Sequence, residues 1–260
     1  MAFDRIRYSG LAWPILTALA VRRELISYGS LAHQLGIHHR QCRLFLDNIQ
    51  SHCLQKRLPP LTALIVGKYT GLPGHGFIAW DIEDAETAQN AVYDYDWSQT
   101  GNPFGFALKG ESLDSLAERL LDRNPNLEPV YRLVEDRGIQ QVIFRKALIK
   151  AYSRRCAMSV PQSEDLLEAA HILPYRECTP AERIDVRNGL LLSFVYHRLF
   201  DMDWLRIRED YRIIDGPELP RQTVDFEAAL TLRFRRPHLY LPEDPRFSPS
   251  PDYIRRRYGI

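Results

Sequence analysis

The chain has 260 residues, of which 45% are hydrophobic and 26% charged, the composition of a globular protein that buries a core. No apolar run approaches the ~18–20 residues that a membrane-spanning helix needs, and a net charge of +1 does not by itself announce a polyanionic partner. Four cysteines (Cys42, Cys53, Cys156 and Cys178) lie far apart with no CxxC pair, which argues against a structural zinc finger and a disulfide scaffold. The first apolar stretch, Leu11 to Val21, carries Trp13 and Pro14 and runs into Arg22 and Arg23. A signal peptide keeps its basic residues ahead of an uninterrupted apolar run, so a cytoplasmic protein is expected.

Residues 11–24 carry a helical pattern, and Ser27 to Gly29 read as a turn. A short helix from Ser30 to Leu35 should stop at Gly36. An amphipathic helix over 39–56 follows, with Leu44, Phe45, Ile49 and Leu54 apolar. Leu61 to Val66 reads as a strand, Gly67 to Gly71 as a turn, and Phe77 to Trp80 as the second strand of a β-hairpin. Three helices and a hairpin are the order of a winged helix-turn-helix. Its longer helix, with His39, Arg40 and Arg43 near the start, would enter a DNA groove. An interaction or dimerisation module on the same fold is the alternative. The stretch ISYGSLAHQLG, from Ile26 to Gly36, resembles the alkyltransferase-like DNA-binding domains. Their reactive Pro-Cys-His-Arg motif is absent, and LPPLTALIV stands in its place, so alkyl transfer is not expected.

The polar stretch from Leu121 to Leu127 suggests a boundary near residue 125, giving domains 1–125 and 126–260. Charge divides along the chain in the same sense. Residues 81–96 hold six carboxylates and no Lys or Arg, whereas residues 132–155 hold seven cations against Glu135 and Asp136, a local net of +5. Arg233, Arg235 and Arg236 and the run Arg255 to Arg257 repeat the basic theme. Polyanion contacts are therefore expected in the second half.

The informative segment runs from Leu166 to Asp203. Leu166 to Leu173 reads as a short strand, Pro174 to Arg187 as a polar loop, and Gly189 to Leu192 as a second strand. From Phe194 the spacing turns helical and places His197 and Asp201 at i and i+4, on one face. A strand, loop, strand and helix that gather His171, Asn188 and His197 make a compact metal site.

Glu168-Ala-Ala-His-Ile172 with Pro174, Asn188-Gly-Leu190, His197 and Phe200-Asp201 resemble the HNH endonucleases of the ββα-metal fold, in the branch with an EAAHI-type first motif. Phe144 to Leu148, Ala151-Tyr152 and Cys156-Ala157 look like that branch's lead-in, and Leu241-Pro242 with a last helix near 251–258 look like its closing segment. The resemblance covers about residues 140–260. It implies an α+β protein in which a winged-helix-like module precedes a metal-dependent nuclease domain that cuts DNA to 5′-phosphate and 3′-hydroxyl ends. It further implies that His171 is the general base, His197 a metal ligand, and Asn188 the residue that holds the loop and hydrogen-bonds His171. Many members ligate the metal through an Asp or His immediately before the base. Here that residue is Ala170, so Asp201 is the first choice as replacement ligand and Glu168 the second.

A His, a carboxylate and water suit Mg²⁺ or Mn²⁺, and imidazole ligation also admits Zn²⁺, Ni²⁺ or Co²⁺. Arg145, Lys146, Arg154, Arg155, Arg176 and Arg198 are the expected phosphate contacts. Cutting both strands of a duplex with one site per chain favours a homodimer, and the resemblance suggests restriction or anti-phage defence as the setting. Two other readings stay open. One is a DNA-binding regulatory protein whose HNH domain is inactive for want of a ligand at Ala170. The other is an HNH nuclease acting on RNA or structured junctions.

Overall fold

The computed structural model describes residues 3–122, 127–134, 136–159, 163–220, 232–233 and 235–259. The chain divides into two compact units, Met1–Ser112 and Leu113–Ile260. The position near residue 125 that the sequence suggested as a boundary, and Glu135, lie outside the described residues.

In the first unit, α1 (Arg5–Arg22) begins earlier than its apolar pattern because Asp4 caps it, accepting a hydrogen bond from the Arg7 amide at 3.0 Å. Trp13, Leu16 and Leu19 of α1 are buried, and the Trp13 ring meets Trp97 and Phe104 edge-on. β1 (Ile26–Ser27) leads directly into α2 (Tyr28–Gln34), which Ser27 caps at the Ser30 amide. Gly36, at φ +65°, ends this helix as expected. A 3₁₀ turn capped by His38 then enters α3 (Cys42–Lys56). The three helices therefore follow one another in the expected order, and the wing does not form.

Residues 77–80 form no strand, and β2 (Ile65–Val66) is only two residues long. It pairs in parallel with β1, Ile26 opposite Ile65 and Ser27 opposite Val66. The buried amide of Gln50 explains the missing hairpin. It donates to the Gly76 carbonyl at 3.1 Å and accepts from the Ile78 amide at 3.0 Å. Backbone groups that a second strand would use are thus satisfied by a side chain of α3. α4 (Ala85–Asp94), which carries part of the acidic segment, and α5 (Gly105–Leu108) complete this unit. Cys42 and Cys53 are free and buried, and burial pushes both thiols up to about 11, where they are inert.

The second unit is α+β. α6 (Leu113–Arg119) and α7 (Leu127–Leu133) precede α8 (Arg137–Ala151), which Asp136 caps at the Ile139 amide at 2.8 Å. β3 (Leu167–His171) and β4 (Gly189–Ser193) form an antiparallel hairpin with Leu167 opposite Ser193 and His171 opposite Gly189. α9 (Phe194–Asp201) continues from β4 without a break. Strand alternation divides the hairpin between its two helices. His171 faces Phe144 of α8, whereas Glu168 meets His197 of α9.

Gly189 is a packing position as much as a turn. A Cβ there would lie 2.7 Å from Phe144 and 2.8 Å from Leu148, both on α8. A second antiparallel pair, β5 (Leu205–Ile207) and β6 (Ile213–Asp215), follows α9. The last helix, α10 (Pro251–Tyr258), is tied back to the hairpin by Arg257, which donates to the carbonyls of Ile172 at 2.7 Å and Phe200 at 3.0 Å. No helix among the described residues is long and apolar enough to cross a membrane.

Candidate active site

His171 ends β3, and the following loop folds back over it. Its Nε2 lies 2.9 Å from the Arg183 backbone carbonyl. A carbonyl can only accept, so Nε2 carries the proton and Nδ1 keeps its lone pair. The ring lies nearly parallel to Phe144 at 4.4 Å and edge-on to Tyr175 at 5.7 Å. Burial holds the imidazole below its ordinary pKa. The hydrogen bond to the Arg183 carbonyl opposes burial in part, and the Arg137 guanidinium and His197 add smaller pushes downward. At neutral pH His171 is therefore a neutral imidazole with one tautomer fixed and one acceptor nitrogen, the state a general base requires.

Asn188 is fully buried, but it does not bond His171 as the sequence reading had it. Its Oδ1 accepts from the Leu173 amide at 2.8 Å, and its Nδ2 donates to the Glu182 carbonyl at 3.0 Å and to Cys178 Sγ at 3.2 Å. The side chain points into the loop, where these backbone groups need partners. It ties both limbs of the loop together and acts on His171 at one remove, by placing Glu182 and hence the neighbouring Arg183 carbonyl. Glu182 is itself clamped by Arg256, which draws its carboxyl down to about 2.

His197 stands between two carboxylates. Its Nδ1 is 2.7 Å from Glu168 Oε2 and its Nε2 3.5 Å from Asp201 Oδ2. Donation from Nδ1 to Glu168 leaves Nε2 bare, so in this tautomer two lone-pair atoms face each other across 3.5 Å. A cation between them would satisfy both, so Nε2 of His197 and Oδ2 of Asp201 are the atoms that could hold one. A histidine whose other nitrogen is held by a carboxylate is a usual metal-ligand arrangement. Among the described residues no group of three or more His, Cys, Asp or Glu side chains is placed to hold a metal ion. An ion here would therefore have two protein ligands and otherwise water and substrate oxygens. Ala170 is fully buried, and Glu168, two residues earlier on the same strand face, is the residue that reaches His197.

The six expected phosphate contacts are not gathered in one place. Arg145 donates to the carbonyls of Leu167 at 3.1 Å and Glu164 at 2.9 Å, a brace for the start of β3. Lys146 pairs with Asp114, Arg154 with Glu164 and Arg176 with Glu177, and Arg155 packs on Tyr240. Arg198 is exposed on α9. Arg145, Lys146 and Arg154, with Lys150, line a groove of about 640 Å³. Lys146 and Ile149 of that groove lie on the side of α8 away from Phe144, so it does not open onto His171. The C-terminal arginine run is also engaged internally. Arg255 pairs with Glu209, Arg256 with Glu182, and Arg257 holds two carbonyls.

Two cations outside the six expected phosphate contacts stand beside His171. The guanidiniums of Arg137 and Arg183 lie 4.4 Å and 4.6 Å from the centre of the Tyr175 ring, whose edge meets His171. They arrive from α8 and from the loop, and no spacing in the chain links them to the motif. A search of the curated proteins finds no match to this chain. Residues 153–208, which hold the hairpin, its loop, α9 and β5, match the family model described as HNH endonuclease. The second unit therefore carries an HNH endonuclease domain, a nuclease domain whose substrate is nucleic acid.

Proposed function

We propose that the protein is a divalent-metal-dependent endonuclease that hydrolyses DNA phosphodiester bonds. The observation that carries the reading is the fixed tautomer of His171, with Nε2 engaged by the Arg183 carbonyl and Nδ1 left as acceptor. Nδ1 takes the proton of a water that attacks the scissile phosphorus, and the depressed pKa keeps His171 ready to accept it at neutral pH. Nε2 of His197 and Oδ2 of Asp201 would hold the ion, with Glu168 orienting His197. That ion, when bound, offsets charge on the phosphate and stabilises the departing 3′ oxygen. Arg137 and Arg183 place positive charge beside the base, where a phosphate must come.

A separate unit with helix-turn-helix order, α2 followed by α3, supports DNA rather than RNA as the substrate. Two strands of a duplex and one His171 per chain support a homodimer. The cytoplasm, with a role in restriction or anti-phage defence, is the setting we attach to a nuclease domain joined to such a module. The test is cleavage of matched DNA and RNA duplexes with and without divalent metal. Metal-dependent cutting of DNA supports the reading. Cutting of RNA alone transfers it to an RNA nuclease, and metal-indifferent binding without cutting to a regulatory protein.

A further inference from the structure

The first residue of α9 is an aromatic ring left in water. Phe194 is 61% exposed, and near it Leu166 and Val195 are 55% and 37% exposed. The register accounts for the grouping. Leu167 pairs with Ser193 at the open end of the hairpin, so Leu166 and Phe194 are the next residues outward on the two sides. Single exposed apolar side chains are ordinary; three grouped beside His197 make a candidate contact surface.

The occupant is indicated by what shares the helix face. His197 and Arg198 follow Phe194 at i+3 and i+4, the spacings that align side chains on one side of a helix. The Arg198 side chain is exposed and makes no hydrogen bond or ion pair among the described residues. An aromatic ring next to an uncommitted guanidinium offers a nucleobase a face to stack on and its phosphate a charge to meet, beside a hairpin and helix that match a nuclease model. The scale also fits. One helical turn is about 5.4 Å, and one strand of a duplex rises about 3.4 Å per nucleotide. A strand whose phosphate sits at His197 brings the next base, or the one after it, to Phe194.

We infer that Phe194 stacks on an unstacked nucleobase one or two nucleotides from the cut bond, while Arg198 holds the neighbouring phosphate. This rests on the nuclease reading above and adds a substrate class to it: strands with a base free to leave its stack, such as single strands, mismatches or flexible pyrimidine–purine steps.

The test uses the full chain carrying His171→Ala, so that binding is read without cutting. An oligonucleotide with 2-aminopurine scanned along its length reports stacking by fluorescence quenching, and titration gives affinity. In this background quenching is expected at one or two adjacent positions. Phe194→Ala should remove the quenching and weaken binding to single-stranded or mismatched DNA by roughly tenfold or more. Phe194→Trp should keep both properties, and Phe194→Leu should behave like the Ala variant, because stacking needs a π-face and not bulk. Unchanged quenching and affinity in Phe194→Ala, or full replacement of Phe by Leu, overturns the inference and leaves the nuclease reading standing. Failure of the His171→Ala chain to bind any nucleic acid overturns the nuclease reading and this inference with it.

Discussion

The imidazole of His171 and the backbone carbonyl of Arg183 are joined by a hydrogen bond of 2.9 Å, so a loop rather than a side chain sets the tautomer of the base. Burial and the Arg137 charge then hold its pKa down. The acid limb of kcat/KM is expected below the ordinary imidazole value of about 6.5, since the base must be neutral to accept a proton. The same shift has a stability consequence. As pH falls through about 6.5 the unfolded chain takes up a proton that folded His171 still refuses, so stability declines with acidification there. A pH–rate profile with its acid limb at or above pH 7 would contradict this assignment.

His197 is held differently by its two carboxylates, and the variants should separate them. His197→Ala and Asp201→Ala should both weaken metal binding as well as cleavage, since both would ligate the ion. Glu168→Gln removes only the charge that orients His197 and should cost about 10- to 100-fold in affinity or activity. Calorimetric titration with Mn²⁺ reads this directly. Unchanged metal affinity in Asp201→Ala would shift the second ligand to Glu168 or to water.

Asn188→Ala leaves the Leu173 amide and the Glu182 carbonyl without their side-chain partner in a fully buried place. A loss of about 1–3 kcal/mol in folding stability is expected, because unpaired buried groups keep their desolvation cost. Cleavage should fall less than in His171→Ala, since Asn188 acts on the base only through the loop. Denaturant unfolding beside a cleavage assay checks both halves.

Gly189→Ala drives a methyl into Phe144 and Leu148. Overpacking of this kind costs about 1–3 kcal/mol, and here it also pushes on the ring that stacks against His171. A thermal melt should show the loss. A variant as stable as the parent would mean that α8 can retreat from the hairpin without cost.

The elements that hold His171, Asn188 and His197 were legible because each is encoded locally. His171, Asn188 and His197 fall on a strand end, a loop end and a helix in the order the spacing implied. Gly36 stops α2 through its own backbone. Local pattern failed where a distant side chain decided the outcome. Gln50 occupies the backbone at 76–78, and the expected wing is replaced by a parallel pairing with Ile26. The charges were misleading for the same reason. Arg145, Arg256 and Arg257 looked available in sequence but are held by carbonyls and by Glu182. Arg137 and Arg183 carried no motif, yet both lie on the Tyr175 ring beside the base.

Incubating a plasmid with the purified protein in EDTA, Mg²⁺, Mn²⁺ or Ni²⁺, alongside His171→Ala, is the decisive assay for metal-dependent cleavage. The account predicts nicking or linearisation that needs a divalent ion and falls by about 10²–10⁴-fold or more in the variant, the range of a lost general base. Cleavage by His171→Ala at the parent rate would contradict it.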